Sequence, residues 1–188
     1  TAIVTGAATG IGEAIARRDQ LSPAHKALYE AVRAGRPKLV GPFSVLMHNP
    51  PLAAAINQVV DAVRKDGKLD KRLYELIVLI TVRHASAAYA WAVHEPLARK
   101  AGVSGDVVDA ILAKRKPSFT KPDEKVIYEA VTELLNTNKI GDQAFQALIQ
   151  QFGLKDAIEI ITCVGLYCII GSVINAFEVP TANGEKPF

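Results

Sequence analysis

Signals that start and stop helices follow one another from about residue 20, and they constrain the fold of this chain more than any other feature. Capping residues, two of them followed by proline at the first helical position, predict helix starts at Ser22, Asn49, Asp70, Ser86 and Ser104. Glycines predict helix ends at Gly35, Gly67 and Gly102. Between these limits the apolar residues recur at helical spacing, as in Leu73, Leu76, Ile77, Ile80 and Val82.

The second half of the chain continues this pattern. We predict helices over 123–135, 142–152 and 154–177, a loop or short turn over 39–47, and a turn-rich tail from Pro180. Alternating runs rich in valine and isoleucine, bounded by turns, are missing after residue 20, so no sheet is expected. The sequence therefore predicts an all-α domain of about seven or eight helices.

The last predicted helix is apolar nearly all round, which indicates enclosure on all sides. Its longest uncharged run, 160–174, is shorter than the roughly 18 to 20 residues that a membrane span needs. We therefore expect no membrane interaction, and we expect contacts between subunits to supply part of the cover of this helix.

Composition is that of a soluble globular protein. Of 188 residues, 49% are hydrophobic and 22% charged, and the net charge of +3 is too small to favour nucleic acid or an anionic membrane as a partner. Cys163 and Cys168, five residues apart in an apolar helix, point in different directions, which disfavours a metal pair or a local disulfide. Buried free thiols fit a reducing compartment, so we expect a cytoplasmic protein.

The first residues carry a different motif. Thr5-Gly6, followed by Gly10-Ile11-Gly12, resembles the first turn of the short-chain dehydrogenases, where glycines let the backbone approach a cofactor pyrophosphate. No tyrosine in the chain has a lysine four residues later, as that family's catalysis requires, and one strand and one turn cannot hold a dinucleotide. We interpret residues 1–19 as an N-terminal arm and expect no nicotinamide cofactor.

An acid and an imidazole interrupt the apolar stretches in the middle of the chain. Glu75 and His94 are the minimum parts for proton-transfer chemistry. His94 shares a helical face with Trp91, and Glu75 shares one with Arg83 on the preceding helix. If these two helices pack antiparallel, the carboxylate and the imidazole face one cavity. The structural alternatives are a histidine satisfied in the core and a glutamate that pairs with Arg83.

The middle of the chain resembles the carboxymuconolactone decarboxylase family, which includes the alkylhydroperoxidase D (AhpD)-like proteins. The resemblance covers about residues 20–180, and its carriers stand in the family's order and spacing. They are Gly41-Pro42-Phe43, His48-Asn49-Pro50, Arg72-Leu-Tyr-Glu75-Leu76, Arg83, Tyr89-Ala-Trp91, His94, Ala98 and Gly102. The resemblance implies an AhpD-like helical domain over 20–180, with 181–188 as a tail. Together with the apolar last helix, it implies a homo-oligomer, a trimer or a hexamer.

The resemblance also implies site residues. Glu75 and His94 would be catalytic, while Arg83 would bind a substrate carboxylate and Trp91 and Tyr89 would wall the pocket. His48 and His84 are expected to line the same pocket as further substrate-binding residues. The chemistry would be proton transfer in a dry pocket, with no metal and no cofactor.

Two branches of this family differ in their chemistry. The redox branch has a Cys-x-x-Cys pair where this chain has Ala87 and Ala90, and the decarboxylase-like branch often has glutamate at the position of Ala90. We therefore expect a cofactor-independent lyase or isomerase that acts on a small carboxylated or cyclic compound. The alternatives are a redox protein that uses Cys163 or Cys168 against peroxide, and a non-catalytic ligand-binding oligomer. The alanines would leave room for a ligand beside His94.

Overall fold

The computed structural model describes residues 21–34, 40–182, 184 and 186–188. Within these residues it contains eight helices and no strand, which confirms the predicted all-α fold. The helices are α1 (Pro23–Arg33), α2 (Pro42–Leu46), α3 (Pro50–Asp61), α4 (Lys71–His84), α5 (Ala88–Ala101), α6 (Gly105–Leu112), α7 (Pro122–Thr137) and α8 (Asp142–Ala176). A π-helical turn, Ala62–Asp66, continues α3. The glycine motif of residues 1–19 and the predicted stop at Gly35 lie outside the described residues.

Helix α4 is the centre of the fold. It packs against α5, α6, α7 and α8, and every residue from 73 to 82 is buried, Glu75 among them. Arg72 ties its first turn to α7, with its two terminal nitrogens 2.6 Å from Asp123 Oδ2 and 2.5 Å from Glu124 Oε1. Glu75 therefore lies in the interior of the fold, on a helix that four others cover.

Most predicted helix starts are confirmed by their caps. The side chains of Ser22, Asp70 and Ser104 accept hydrogen bonds from backbone N–H groups in the first turns of α1, α4 and α6. The predicted cap at Ser86 is wrong. The N–H of Ala87 donates to Val82 O at 2.8 Å, and Ser86 adopts a left-handed conformation with φ of 53°. Ser86 thus closes α4, and Ala87 precedes α5 without a side-chain cap.

The structure adds one short helix to the predicted set and contains one predicted break. Part of the stretch predicted as a loop over 39–47 forms the short helix α2, which begins at Pro42. The predicted break between 142–152 and 154–177 is present inside α8, where Gly153 has a non-helical backbone with φ of 77° and ψ of 168°. Glycine is favoured there because a side chain would strain this conformation.

The apolar helix α8 is not enclosed on all sides within one chain. It is long and apolar enough to cross a membrane by length and composition alone, yet half of its most apolar stretch is buried inside the protein, as in the core helix of a soluble protein. The exposed side chains of the helix include Leu154, Ile158 and Ile169.

Candidate functional site

Glu75 of α4 and His94 of α5 meet in the interior. Glu75 Oε2 lies 2.7 Å from His94 Nδ1, and the two residues are 1% and 7% exposed. The antiparallel packing of α4 and α5 therefore brings together the two residues that the sequence singled out. A carboxylate removed from water is costly unless it is hydrogen-bonded or paired, and here the imidazole is that partner. The second oxygen, Glu75 Oε1, is buried without a hydrogen-bond partner among the described residues.

Two tyrosines extend this pair, and the sequence reasoning missed both. The hydroxyl of Tyr167, on α8, lies 3.1 Å from His94 Nε2 and 2.6 Å from the hydroxyl of Tyr74 on α4. Glu75, His94, Tyr167 and Tyr74 thus form one hydrogen-bonded chain, which we call the interior relay. Tyr74 stands directly before Glu75 in the sequence, whereas Tyr167 comes from a segment 73 residues beyond His94.

The donors and acceptors of the interior relay fit together in one direction. An ionised Glu75 can only accept, so His94 Nδ1–H donates to it and Nε2 is left as an acceptor. Tyr167 then donates to Nε2, and Tyr74 donates to the oxygen of Tyr167. Each hydrogen atom takes part in one hydrogen bond, and no two donors face each other. The interior relay therefore accommodates a neutral His94 imidazole.

Burial keeps the phenols of the interior relay protonated. It is the main cause that raises the pKa of Tyr167 and of Tyr74, and the nearby thiol of Cys163 adds to both shifts. A neighbouring cation, Arg64, acts on the Tyr74 pKa in the opposite direction. Phenols of this kind pass protons along hydrogen bonds and do not rest as phenolates.

The cysteines are protonated as well. Burial, followed by the negative charge of Glu75, raises the pKa of Cys163, and burial raises the pKa of Cys168. Both are free thiols. Since the thiolate is the nucleophilic form, this environment does not activate Cys163 for attack on peroxide.

Both ends of the interior relay line a cavity of about 220 Å³ beside the π-helical turn. Tyr74 and Glu75 contribute to its wall, together with the basic residues Arg64 and Lys71. The remaining wall is apolar and comes from Val63 and Leu69. This cavity therefore combines positive charge with access to the relay. In the part of the chain that the structure describes, no three histidine, cysteine or acidic side chains converge as metal ligands do.

The residues predicted to line the pocket beside Glu75 and His94, namely Trp91, Tyr89 and His48, lie elsewhere in the structure. Trp91 is buried three residues before His94, and its ring packs edge-on against Phe188 at 6.0 Å between centroids. The ring of Tyr89 packs against Gly41, close enough that a Cβ at Gly41 would lie 2.4 Å from it. His48 is exposed in the turn between α2 and α3. None of the three lines the cavity of Tyr74 and Glu75.

Arg83 and His84 lie at the opposite end of α4 from Glu75. Arg83 Nε donates to Leu112 O at 2.7 Å, and its guanidinium carbon lies 4.1 Å from the centre of the Phe188 ring. Arg83 and His84 instead line a second cavity, between α4, α6 and α7. The expectation that both share a pocket with Glu75 and His94 is wrong, because eight residues of helix separate Arg83 from Glu75 by about 12 Å.

Neither of the two alanines on the His94 face lines any of the cavities found among the described residues. Ala87 and Ala90 are both buried in the core. A Cβ at Gly171 of α8 would lie 3.6 Å from that of Ala87 and 3.2 Å from that of Ala85. The close approach of α8 at Gly171 therefore takes the room beside Ala87 that was expected for a ligand.

Comparison with known proteins finds one matching family model and similar solved structures. Residues 50–133 match the carboxymuconolactone decarboxylase family model, and this segment carries both Glu75 and His94. A crystal structure described as an alkylhydroperoxidase AhpD core, an uncharacterized peroxidase-related protein from Ralstonia eutropha JMP134, is 19% identical with a TM-score of 0.75. That match covers 94% of this chain and 95% of the other.

A second crystal structure, of a protein of unknown function from Agrobacterium tumefaciens considered an AhpD antioxidant defence protein, is 18% identical with a TM-score of 0.65. It covers 73% of this chain and 94% of the other. No curated protein matches the chain. The resemblance read from the sequence is confirmed: residues 50–133 match the carboxymuconolactone decarboxylase family model, and the fold is AhpD-like.

Proposed function

We propose that this protein is a cofactor-independent lyase or isomerase that moves a proton to or from a small carboxylated compound. The observation that carries the proposal is the interior relay, in which a Glu75–His94 pair is joined through two phenols to a cavity lined by cations. The carboxymuconolactone decarboxylase segment supports the same reaction class. The free thiols and the generally soluble character of this family support a cytoplasmic location.

The proposed base is His94, acting at a distance. A substrate carboxylate binds Arg64 and Lys71, which places an adjacent acidic C–H near the hydroxyl of Tyr74. As Tyr74 takes the proton, its own passes to Tyr167 and that of Tyr167 passes to His94 Nε2. Glu75 stabilises the imidazolium that results, since opposite charges in a dry interior attract strongly.

The return of the proton runs along the same atoms. The imidazolium donates from Nε2 to Tyr167, Tyr167 donates to Tyr74, and Tyr74 protonates the substrate carbon. For an isomerase this carbon differs from the first. For a decarboxylase, carbon dioxide leaves without prior C–H abstraction, the relay protonates the carbanion that remains, and a proton from water replaces the one that the relay gives up. In both cases the resting state of the relay is restored without a cofactor.

The test is deuterium exchange at carbon. The full chain is incubated in heavy water with a panel of β-keto acids and unsaturated lactone carboxylates, and NMR follows deuterium incorporation and loss of carbon dioxide. We expect the wild type to act on at least one compound, and His94→Gln to lower the rate at least about a hundredfold, the usual contribution of an acid–base group. His25→Gln on α1 is the matched control and should retain the wild-type rate.

Two further variants separate the alternatives. Replacing both Cys163 and Cys168 with alanine should leave proton exchange unchanged. Peroxide consumption that follows the cysteines and ignores His94 would overturn the proposal in favour of a redox protein. Binding of the panel without exchange or decarboxylation would instead favour a ligand-binding oligomer.

A further inference from the structure

The cavity between α4, α6 and α7 is a second, half-open space of about 370 Å³, and four basic residues line it. Arg83 and His84 come from the end of α4, while Lys114 and Arg115 follow the end of α6. None of the side chains that line it is an acid. The cavity is therefore strongly positive.

The charges in this cavity are not neutralised by the protein. In the part of the chain that the structure describes, no carboxylate lies within 4.0 Å of the charged nitrogens of Arg83, Lys114 or Arg115, whereas the next cation, Lys116, lies 3.8 Å from Glu129 outside the cavity. Arg83 uses Nε for Leu112 O, and its terminal nitrogens have no hydrogen-bond acceptor among the described residues.

The ends of α4 and α6 offset only part of this charge. Each helix C-terminus is equivalent to about half a negative charge, so two of them amount to roughly one against three permanent cations.

Other residues of the cavity would hold the rest of a ligand. Thr132 of α7 lines it, and its Oγ1 is buried without a hydrogen-bond partner among the described residues. Ile80, Ile111 and Leu135 supply an apolar wall. The cavity thus combines cations, an unused hydroxyl and an apolar surface, which is the usual make-up of a site for an organic anion.

We propose that this cavity binds an organic phosphate, with the phosphate held by Arg83, Lys114 and Arg115 and the apolar body against Ile80, Ile111 and Leu135. A dianion matches the excess of about two positive charges better than a single carboxylate does. The site lies about 12 Å along α4 from Glu75, so it is separate from the interior relay. The proposal of this site does not depend on the proposed proton-transfer reaction.

The probe is phenyl phosphate, titrated into the full chain by calorimetry, with inorganic phosphate and phenol as its two fragments. We expect one site per chain, and tighter binding of phenyl phosphate than of either fragment. Arg115→Ala should weaken binding about tenfold, as expected for loss of a charge-assisted contact. Lys125→Ala on α7 removes the same charge outside the cavity and should change the affinity less than about twofold.

Lys114 allows a variant that removes a cation without harming the fold. Its N–H donates to Ile111 O at 3.0 Å, that of Arg115 donates to Ala110 O at 2.8 Å, and Lys114 has a φ of 53°. This is a Schellman motif, whose left-handed position favours glycine. Lys114→Gly should therefore keep or raise the melting temperature while weakening phenyl phosphate binding about tenfold.

Thr132→Val keeps the shape of the side chain and removes its hydroxyl, so it should also weaken binding. Absence of phenyl phosphate binding by the wild type would overturn the proposal. So would an affinity that Lys114→Gly and Arg115→Ala leave unchanged, or one that Lys125→Ala lowers equally. Deuterium exchange at the interior relay reports separately, because none of these variants touches Glu75, His94 or the tyrosines.

Discussion

The hydroxyl of Tyr167 lies 3.1 Å from Nε2 of His94, the imidazole nitrogen that Glu75 leaves open. Helix α8 therefore supplies the hydroxyl that binds the second nitrogen of His94, whereas α4 supplies the carboxylate that binds the first. A histidine with both nitrogens bound has a fixed ring orientation and a defined tautomer. This arrangement makes His94 neither a solvent-facing base nor an unpartnered core residue.

The tautomer of His94 is the first prediction. Because the carboxylate of Glu75 can only accept, we expect the resting imidazole to carry its hydrogen at Nδ1. Two-dimensional NMR that correlates the ring nitrogens and carbons should show Nδ1 protonated and Nε2 unprotonated near neutral pH. In Glu75→Gln this preference should weaken, since the amide can also donate. A wild-type imidazole protonated at Nε2 would contradict the deduced direction of the relay.

Tyr167→Phe tests the energetic role of the relay. The change leaves His94 Nε2 without a donor and Tyr74 without an acceptor in the interior. Leaving buried polar groups unsatisfied costs about 1–3 kcal/mol, so the free energy of unfolding in urea should fall by that amount. Tyr29→Phe on α1 is the matched control and should cost less than about 0.5 kcal/mol. A neutral effect of Tyr167→Phe would mean that water replaces the lost hydroxyl.

Alkaline pH should destabilise the protein through its buried phenols. Burial raises the pKa of Tyr74 above its ordinary value of 10.0, so above pH 10 the unfolded chain loses this proton while the folded protein keeps it. The stability that is present below pH 10 is therefore lost as the pH rises. Each such group contributes about 1.4 kcal/mol per pH unit in this range.

The measurement is the free energy of unfolding in urea between pH 9 and 11. Cys163, whose pKa burial raises from 9.0, starts the decline one unit earlier, so Cys163→Ala is the background for the comparison. On that background, Tyr74→Phe should make the fall of the unfolding free energy above pH 10 shallower by about 1.4 kcal/mol per pH unit, the contribution of one proton. An unchanged slope would show that Tyr74 ionises in the folded protein as readily as in the unfolded chain.

Gly41 and Gly153 form a pair that separates backbone strain from steric collision. Both have positive φ, 65° and 77°, but a Cβ at Gly41 would lie 2.4 Å from the Tyr89 ring, whereas one at Gly153 meets nothing within 4 Å. Gly153→Ala should cost about 1–3 kcal/mol of unfolding free energy from strain alone. Gly41→Ala should cost about 1–3 kcal/mol more from overpacking. If Tyr89→Ala does not reduce that excess, the collision is not its cause.

Sequence signals within single helices predicted much of the fold and two of the four residues of the interior relay. The caps at Ser22, Asp70 and Ser104 act within one helical turn, so the sequence shows them directly. Glu75 and His94 were visible because each interrupts an apolar helix. Tyr167 was not visible, because tyrosine is common in apolar helices and its pairing with His94 depends on how α8 crosses α5. The assignment of Arg83 to the same pocket failed for a related reason: a shared helical face does not imply a shared cavity two turns away.

Assembly is the last prediction, and it concerns the outer face of α8. Leu154, Ile158 and Ile169 are 62%, 57% and 49% exposed, and their spacing of four and eleven residues aligns them on one stripe of the helix. Gly165, on the same stripe, has nothing within 4 Å of its Cβ position. An apolar stripe of this kind, left open on one chain, fits an interface between copies of the chain.

We expect light scattering at micromolar concentration to give a trimer or a hexamer, and Ile158→Glu to shift the assembly toward monomer. Val59→Glu, a charge placed on an exposed valine of α3, should leave the mass unchanged. A wild-type monomer would contradict the prediction, and so would an oligomer that Val59→Glu disrupts while Ile158→Glu does not.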